Sequence, residues 1–218
     1  MSNISSNNTY TDVTFKNVDQ THETIEFSEF TDCKFTHCNF SHTAFLSCRF
    51  MDCEFEDCTM QMLQVEDTVF ANVKFSQCSL MGINLVEANW RDWASKLNPL
   101  QFESCDMKYA IFFGLELKKI TLKDCNATEA NFSEADLTEA NFTGTNLAGA
   151  NFLRTNLTKA NFVGATHYAI NLMDNQTSGA KFALPEAVRL LHYLDIEIID
   201  LETKRKLKEE QLDDFISK

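Results

Sequence analysis

The sequence predicts a β-solenoid, because three features agree on a repeat of five residues. Between Ala130 and Phe162 a large apolar residue stands at every fifth position, alternating between Phe and Leu from Phe132 onward. A small residue, Ala or Thr, stands two positions before each of them, with Asn or Asp between. A period of five fits neither an amphipathic helix nor a half-buried strand. A short fixed period instead indicates a solenoid, in which each repeat is buried against its neighbours.

The repeat also predicts the organisation of the chain. Residues 1–9 are polar, and we expect a flexible N-terminus there. The repeat runs over residues 10–182, but its two halves are out of phase. Trp90 and Phe102 are separated by twelve residues, which is two fives plus two. We therefore predict a two-residue excursion within a short loop near residues 91–101.

The cysteines support this register, because each stands two residues before a core position, in the slot that Ala and Thr occupy later. A free cysteine behaves as a small buried apolar residue and suits that slot. Disulfides and a metal site are the alternatives, although no Cys-x-x-Cys pair occurs. The start of the chain lacks the pattern of a signal peptide, so we expect a cytoplasmic protein with reduced thiols. The cysteines are Cys33, Cys38, Cys48, Cys53, Cys58, Cys78, Cys105 and Cys125.

The tandem pattern Ala-(Asp/Asn)-(Leu/Phe)-(Ser/Thr)-x over residues 10–182 resembles the pentapeptide repeat proteins. The resemblance implies an all-β fold, a right-handed quadrilateral parallel β-helix in which the core and small residues point inward. Within the family the chain is similar to the albicidin-resistance type and, more distantly, to the Qnr quinolone-resistance type. These relatives imply a homodimer that binds DNA gyrase or topoisomerase IV, mimics DNA and protects the enzyme from topoisomerase poisons. The segments that carry the similarity are Leu80–Asn84, the break after Trp90, Phe102–Cys105, Phe113–Leu115, Ala180–Ala187 and Ile196–Ile199.

Residues 183–218 leave the repeat and are predicted to form a C-terminal helical cap and dimerisation module. A helix is expected over Leu184–Leu194, with Pro185 in its first turn, followed by a short strand over Asp195–Ile199. The end of a solenoid must be capped or paired, so this module is a dimer interface or a simple lid. The charged tail after Asp200 is either a second helix or solvated. The predicted dimer interface comprises Val188, Leu190, Leu191, Leu194, Ile196 and Ile198.

Charge is concentrated in the first half of the repeat. The chain has a net charge of −13, and residues 1–90 contain thirteen acidic and four basic side chains, a net −9. Such a surface disfavours nucleic acid and anionic membranes and favours basic partners. It is either an ordinary soluble surface or an anionic rod that occupies a basic DNA-binding groove. The predicted partner-binding residues are Asp12, Asp32, Asp52, Glu54, Glu56, Asp57, Glu66 and Asp67, with Arg91, Trp93 and Lys96 as loop contacts.

The sequence contains no motif that predicts an enzyme. A phosphate-binding loop, a dinucleotide-binding turn and the zinc-protease and serine-hydrolase signatures are all missing. His22 and His42 are twenty residues apart, so they could stack on one outer face, although two exposed imidazoles are usually part of a solvated surface; His167 is expected to point inward. We therefore predict a protein without catalysis, metal or cofactor. A structural scaffold that binds an unrelated protein is the alternative function.

Overall fold

The computed structural model describes residues 4–91, 100–194, 196, 199–200 and 205–206. It shows the predicted right-handed, four-sided parallel β-helix. The strands are β1 Thr9–Thr11, β2 Thr14–Lys16, β3 Thr24–Glu26, β4 Glu29–Thr31, β5 Lys34–Thr36, β6 Ala44–Leu46, β7 Arg49–Met51, β8 Glu54–Glu56, β9 Val69–Ala71, β10 Lys74–Ser76, β11 Gln101–Glu103, β12 Thr121–Lys123, β13 Ile199–Asp200 and β14 Arg205–Lys206. Two 3₁₀ helices, Leu85–Glu87 and Glu186–Tyr193, complete the described elements.

The four faces are numbered here in the order in which the chain first reaches them. Face 1 contains the sheet β1-β4-β7-β9, and face 2 contains the six-stranded sheet β2-β5-β8-β10-β11-β12. Face 3 is held by single parallel bridges that begin at Asp19 and Asn39, and face 4 begins with the pair β3 and β6. Paired residues are normally twenty apart, as Phe35 and Phe55 are. Each set of four fives therefore makes one coil, and equivalent residues of successive coils form a column.

The core consists of columns of apolar side chains that run along the axis. On face 2, Phe35 stacks on Phe15 with ring centroids 5.0 Å apart and on Phe55 at 4.4 Å. These distances match the spacing of about 4.8 Å between neighbouring strands. Phe55, Phe75 and Phe132 are all buried, as the repeat predicts. Removing each such ring from water stabilises the fold by roughly 1.5–3 kcal/mol.

The small inward slot also supplies hydrogen bonds to the backbone. Cys58 Sγ donates to the carbonyl oxygen of Phe35 at 3.4 Å, and Thr68 Oγ1 donates to that of Phe45 at 2.7 Å. All eight cysteines are buried and free of disulfides, which confirms the prediction of buried thiols. Burial raises the pKa of Cys53 to about 12. That thiol therefore stays protonated at neutral pH and is a poor nucleophile.

The corners between faces require a left-handed backbone at the second residue after each core position. Asp12, Asp32 and Asp52 have φ angles of 56°, 52° and 54° at the corner between faces 1 and 2. Asp and Asn tolerate this conformation better than most residues, because their short side chains can bond to nearby backbone. The side chains of these corner residues point away from the core. Several of the acidic residues occupy such corners.

The break in the repeat is longer than predicted. Phe75 pairs with Phe55 on one side and with Phe102 on the other, so one coil contains 27 residues where the others contain 20. The insertion is therefore seven residues long rather than two, because this coil contains one extra five-residue repeat in addition to the two residues predicted. The rings of Phe75 and Phe102 remain 5.0 Å apart and within 9° of parallel. Residues 92–99 lie outside the described part of the chain.

The inward position expected for His167 is occupied by Tyr168. His167 has a left-handed φ of 58° and is exposed, whereas Tyr168 is 1% exposed and packs against Phe162 and Phe182. The prediction for His167 is therefore wrong by one residue. The ring of Tyr168 fills the core space, although its hydroxyl is buried without a hydrogen-bond partner among the described residues; an imidazole would bury two polar nitrogens instead of one oxygen.

The C-terminal module begins with a helix, as predicted, but the helix is a 3₁₀ helix over Glu186–Tyr193. Glu186 fastens it to the solenoid, because its carboxylate accepts the backbone N–H of His167 and the Nε–H of Arg189. Of the residues predicted as a strand over 195–199, the structure describes Ile196, which is not in a strand, and Ile199, which pairs antiparallel with Lys206. Asp195, Glu197, Ile198 and most of the tail after Asp200 lie outside the described residues.

Candidate functional site

The clearest charged feature is an acidic corner formed by Asp12, Asp32 and Asp52. Their neighbours pair in register, since Thr11 lies beside Thr31 and Thr31 beside Met51. The three carboxylates therefore stand one per coil, about 4.8 Å apart. Among the described residues, no lysine or arginine lies within ion-pair distance of any of them. The corner presents a row of uncompensated negative charge to solvent.

The acidic residues of face 2 are partly compensated. Lys34 Nζ lies 2.8 Å from Glu56 and 3.8 Å from Glu54, and the hydrogen bond from Lys34 lowers the pKa of Glu56. His37 approaches Asp57 at 3.4 Å. Exposed pairs of this kind contribute little to stability and are weakened by salt. Glu54, Glu56 and Asp57 therefore present less net charge to a partner than the acidic corner does.

Glu66 and Asp67 lie on the opposite side of face 1 from the acidic corner. Glu66 is on face 4, and Asp67 is at the corner between faces 4 and 1, where it accepts hydrogen bonds from Asn89 at 2.8 Å and Ser47 at 3.3 Å. The eight predicted partner-binding acids thus surround face 1 and extend over face 2, and they do not form one patch. Of the predicted loop contacts, Arg91 is exposed, while Trp93 and Lys96 lie outside the described residues.

The predicted dimer residues divide into buried and accessible groups. Leu190 is 7% exposed and packs on the end of the core of its own chain. Val188, Leu191 and Leu194 are half-buried, and Ile196 is exposed. Ile198 lies outside the described residues. Leu184, at 80% exposure, adds an apolar side chain that the prediction did not include.

Two family models match this chain. One, described as a pentapeptide repeat region, matches residues 28–94. The other, described as pentapeptide repeats (8 copies), matches residues 101–144, 116–152 and 135–166, so the two together cover more than half of the sequence. The chain is a pentapeptide repeat protein. No curated protein matches the sequence.

Solved structures of pentapeptide repeat proteins share the fold. A trypsin-treated variant of QnrB1, a plasmid-mediated fluoroquinolone resistance protein, superimposes with a TM-score of 0.58 at 18% identity, covering 89% of this chain and 99% of that one. Full-length QnrB1 gives a TM-score of 0.56 at 18% identity, covering 86% and 100%. HetL, a regulator of heterocyst differentiation from the cyanobacterium Nostoc, gives 0.49 at 18% identity, covering 80% and 85%. The similarity to the albicidin-resistance type stays a prediction.

The remaining histidines and the cysteines of this pentapeptide repeat protein could also carry chemistry, and the structure places the exposed histidines outside and the cysteines in the core. His22 and His42 stack on the outside with ring centroids 4.8 Å apart, as predicted. No group of three or more His, Cys, Asp or Glu among the described residues is arranged to hold a metal ion. Neither 3₁₀ helix in the described part of the chain is long and apolar enough to cross a membrane.

The sequence prediction missed one group of surface residues. Large apolar side chains occupy outward positions near the break, among them Met62, Val86, Tyr109 and Phe113, each at least 40% exposed. The five-residue repeat could have identified these residues, because a large apolar residue one or two places after a core position must face solvent.

Proposed function

We propose that this protein binds DNA gyrase or topoisomerase IV without catalysis and protects the enzyme from topoisomerase poisons. In this proposal the acidic rod occupies the basic surface that would otherwise hold DNA. The rod acts as a homodimer joined through its C-terminal modules. The fold it shares with QnrB1, a fluoroquinolone resistance protein, supports the proposal.

The observation that carries the proposal is the density of negative charge on the first coils. Thirteen acidic and four basic residues up to Trp90 leave a net charge of −9 on the first four coils, which contribute four stacked segments, or rungs, to each face. Four rungs span roughly 20 Å at about 4.8 Å each. This is about one charge per 2 Å, close to the value of about one per 1.7 Å in duplex DNA. A groove that binds DNA through basic side chains would therefore meet a comparable charge on this rod.

The acidic corner supplies an exposed and ordered part of that charge. Asp12, Asp32 and Asp52 have no described cationic partner, and the rigid coils hold them in a fixed row. Exposed charges interact over about 10 Å at 0.1 M salt and over shorter distances as salt rises. Binding should therefore weaken markedly as ionic strength increases.

The test replaces the acidic corner and measures gyrase binding and protection of supercoiling. The variant Asp12→Asn, Asp32→Asn, Asp52→Asn keeps side-chain shape and the tolerance for a left-handed backbone. The control changes Glu129, Glu134 and Glu139 to Gln, which removes the same number of charges from three different left-handed corners in the second half of the rod, where Glu134 and Glu139 lie within ion-pair distance of basic side chains. We expect binding to fall at least about tenfold for the first variant and less than about threefold for the control. Equal losses would show that overall charge, not this corner, governs binding.

The homodimer is tested by truncation after Phe182, which removes the exposed Leu184 and Ile196. The proposal expects a dimeric mass for the full chain and a monomeric mass for the truncated one, measured by light scattering. An unchanged mass would identify the module as a simple lid.

A scaffold function is the second candidate, and the ion pairs of face 2 favour it. Lys123 and Lys74 both approach Glu103, at 2.9 Å and 3.3 Å. The positive and negative charges on this face therefore largely cancel. A scaffold that binds an unrelated protein would show no affinity for gyrase at any salt concentration.

A further inference from the structure

An exposed apolar patch lies on face 4 beside the break. Met62 is 52% exposed, Tyr109 57%, Phe113 44% and Val86 40%, and Ile111 is half-buried among them. We call these five residues the face 4 patch. Exposed Met, Tyr and Phe side chains that form a group, rather than occurring singly, are typical of surfaces that bind proteins.

The register of the coils brings the five residues together. Asn84 bridges to Ile111, so Val86 and Phe113 occupy equivalent positions on neighbouring rungs. Met62 and Tyr109 occupy the adjoining corner, on the rungs before and after Gly82. A Cβ on Gly82 would lie 2.4 Å from Met62 Sδ, which shows that the methionine lies across the glycine. The patch therefore spans three rungs without a large side chain interrupting it at the corner.

The patch is confined to this part of face 4. The same columns carry Gln64 and Glu66 on the preceding rung and Glu129 and Ser133 on the following one. An ordinary solvated face would continue these polar residues through the intervening rungs. Val86 on one rung and Tyr109, Ile111 and Phe113 on the next interrupt this polar surface, so the apolar group is local.

One edge of the patch is acidic. A groove of about 470 Å³ beside Val86 is lined by Trp90 and by four charged residues, in which the carboxylates of Glu66, Asp67 and Glu87 outnumber the single cation, Arg91. Asn84 and Asn89 orient Glu87 and Asp67 through hydrogen bonds of 2.8 Å each. No lysine or arginine among the described residues forms an ion pair with the three carboxylates. The edge is thus complementary to a cationic side chain.

We propose that the face 4 patch is a docking surface for a segment of the protein partner in which an apolar anchor is flanked by lysine or arginine. The anchor packs on Tyr109 and Phe113, and the cationic side chain enters the groove at Glu66 and Glu87. Apolar contacts would give this surface an affinity that persists at high salt, unlike that of the acidic corner. The inference rests on the proposed function for the identity of the partner, which is the topoisomerase.

The test variant is Val86→Thr, Tyr109→Asn, Phe113→Thr. Threonine suits an exposed strand-like position, and asparagine tolerates the left-handed φ of 60° at Tyr109. The matched control is Phe27→Asn, Leu153→Thr, Val163→Thr, which removes equally exposed apolar side chains outside the patch. Circular dichroism and thermal unfolding verify that both variants fold.

Binding is measured with gyrase at about 0.1 M and 0.5 M salt and with a synthetic peptide, Lys-Leu-Lys-Phe-Lys. We expect the patch variant to bind gyrase at least about tenfold more weakly at both salt concentrations, and the control to stay within about twofold of the unchanged protein. Equal gyrase binding by the patch variant and the unchanged protein would overturn the inference and leave the proposed function standing.

Two further outcomes separate this inference from the proposed function. If the unchanged protein binds the peptide but not gyrase, and the patch variant loses the peptide, the docking surface stands and the topoisomerase is the wrong partner. If the patch variant alone changes the oligomeric mass, the occupant is a second copy of the chain and the inference is wrong. Failure of the unchanged protein to bind either probe would also overturn it.

Discussion

Truncation of Phe55 tests the column of stacked rings most directly. Phe55 is 1% exposed and stands between Phe35 at 4.4 Å and Phe75 at 5.0 Å. Phe55→Ala removes the ring and leaves a cavity between two rungs that cannot approach each other, so the expected loss is about 3–5 kcal/mol of unfolding free energy. Phe55→Leu keeps most of the apolar volume but loses two stacked ring pairs of about 0.5–1.5 kcal/mol each, and its edge contacts with Phe40 and Phe50 as well, so a loss of at least about 1 kcal/mol is expected.

Urea unfolding followed by circular dichroism measures these losses, with Phe27→Ala as the control. Phe27 is 63% exposed, and its truncation should change the unfolding free energy by no more than about 0.5 kcal/mol. The denaturant slope must be compared as well, because a solenoid can unfold a few coils at a time. If Phe55→Ala cost no more than Phe27→Ala, the column would not be a source of stability and the reasoning would be refuted.

Three further perturbations follow from the same structure. Phe142→Asp places a charge in the sealed core and should prevent recovery of soluble protein, so a folded variant by circular dichroism would contradict the inward placement. Thr68→Val leaves the buried carbonyl of Phe45 without its 2.7 Å donor and should cost about 1–2 kcal/mol in urea unfolding, whereas Thr68→Ser should cost less. Hydrogen bonds from lysines, first from Lys123, lower the pKa of Glu103 below its ordinary 4.5, so the stabilisation is complete above pH 4.5 and is lost as the pH falls. Glu103→Gln should therefore be less stable than the unchanged protein at neutral pH, and the difference should shrink as the pH falls below 4.5, by thermal unfolding. A difference that persisted in acid would mean that the glutamate acts through packing.

The solenoid could be predicted from the sequence because its packing is local and periodic. The five-residue frame assigned Phe55 and Phe132 to the core correctly, since each repeat meets the same environment as its neighbours. The five-residue frame failed at the break after Trp90, where the chain contains extra residues but the repeat on either side keeps its period of five. Seven inserted residues are one complete five-residue repeat plus two, and the sequence reveals only the two, because an added complete repeat leaves the spacing pattern unchanged. The frame also failed at His167, where the coil keeps its twenty residues, since Asn161 bridges to Lys181, but the aromatic ring of Tyr168 takes the inward place one residue later.

The candidate site was only partly predictable. The stacking of Asp12, Asp32 and Asp52 follows from the period of twenty, but the absence of cationic partners for them within residues 4–91 and 100–194 depends on side-chain geometry that the sequence does not show. The pairing of Lys34 with Glu56 as well as Glu54 likewise depends on which way a long side chain turns. The face 4 patch joins residues from rungs 20 and 27 positions apart, so the length of the break had to be known before Met62 and Tyr109 could be placed together.

The 27-residue coil has a consequence for how this architecture can change. Phe75 and Phe102 meet as closely as rings joined by an ordinary coil, although seven more residues lie between them. A corner can therefore accept additional chain without displacing the columns on either side. New peptide grafted at that corner should leave the scaffold's melting behaviour nearly unchanged. The exterior of such a protein can thus acquire new recognition elements while its interior remains the same.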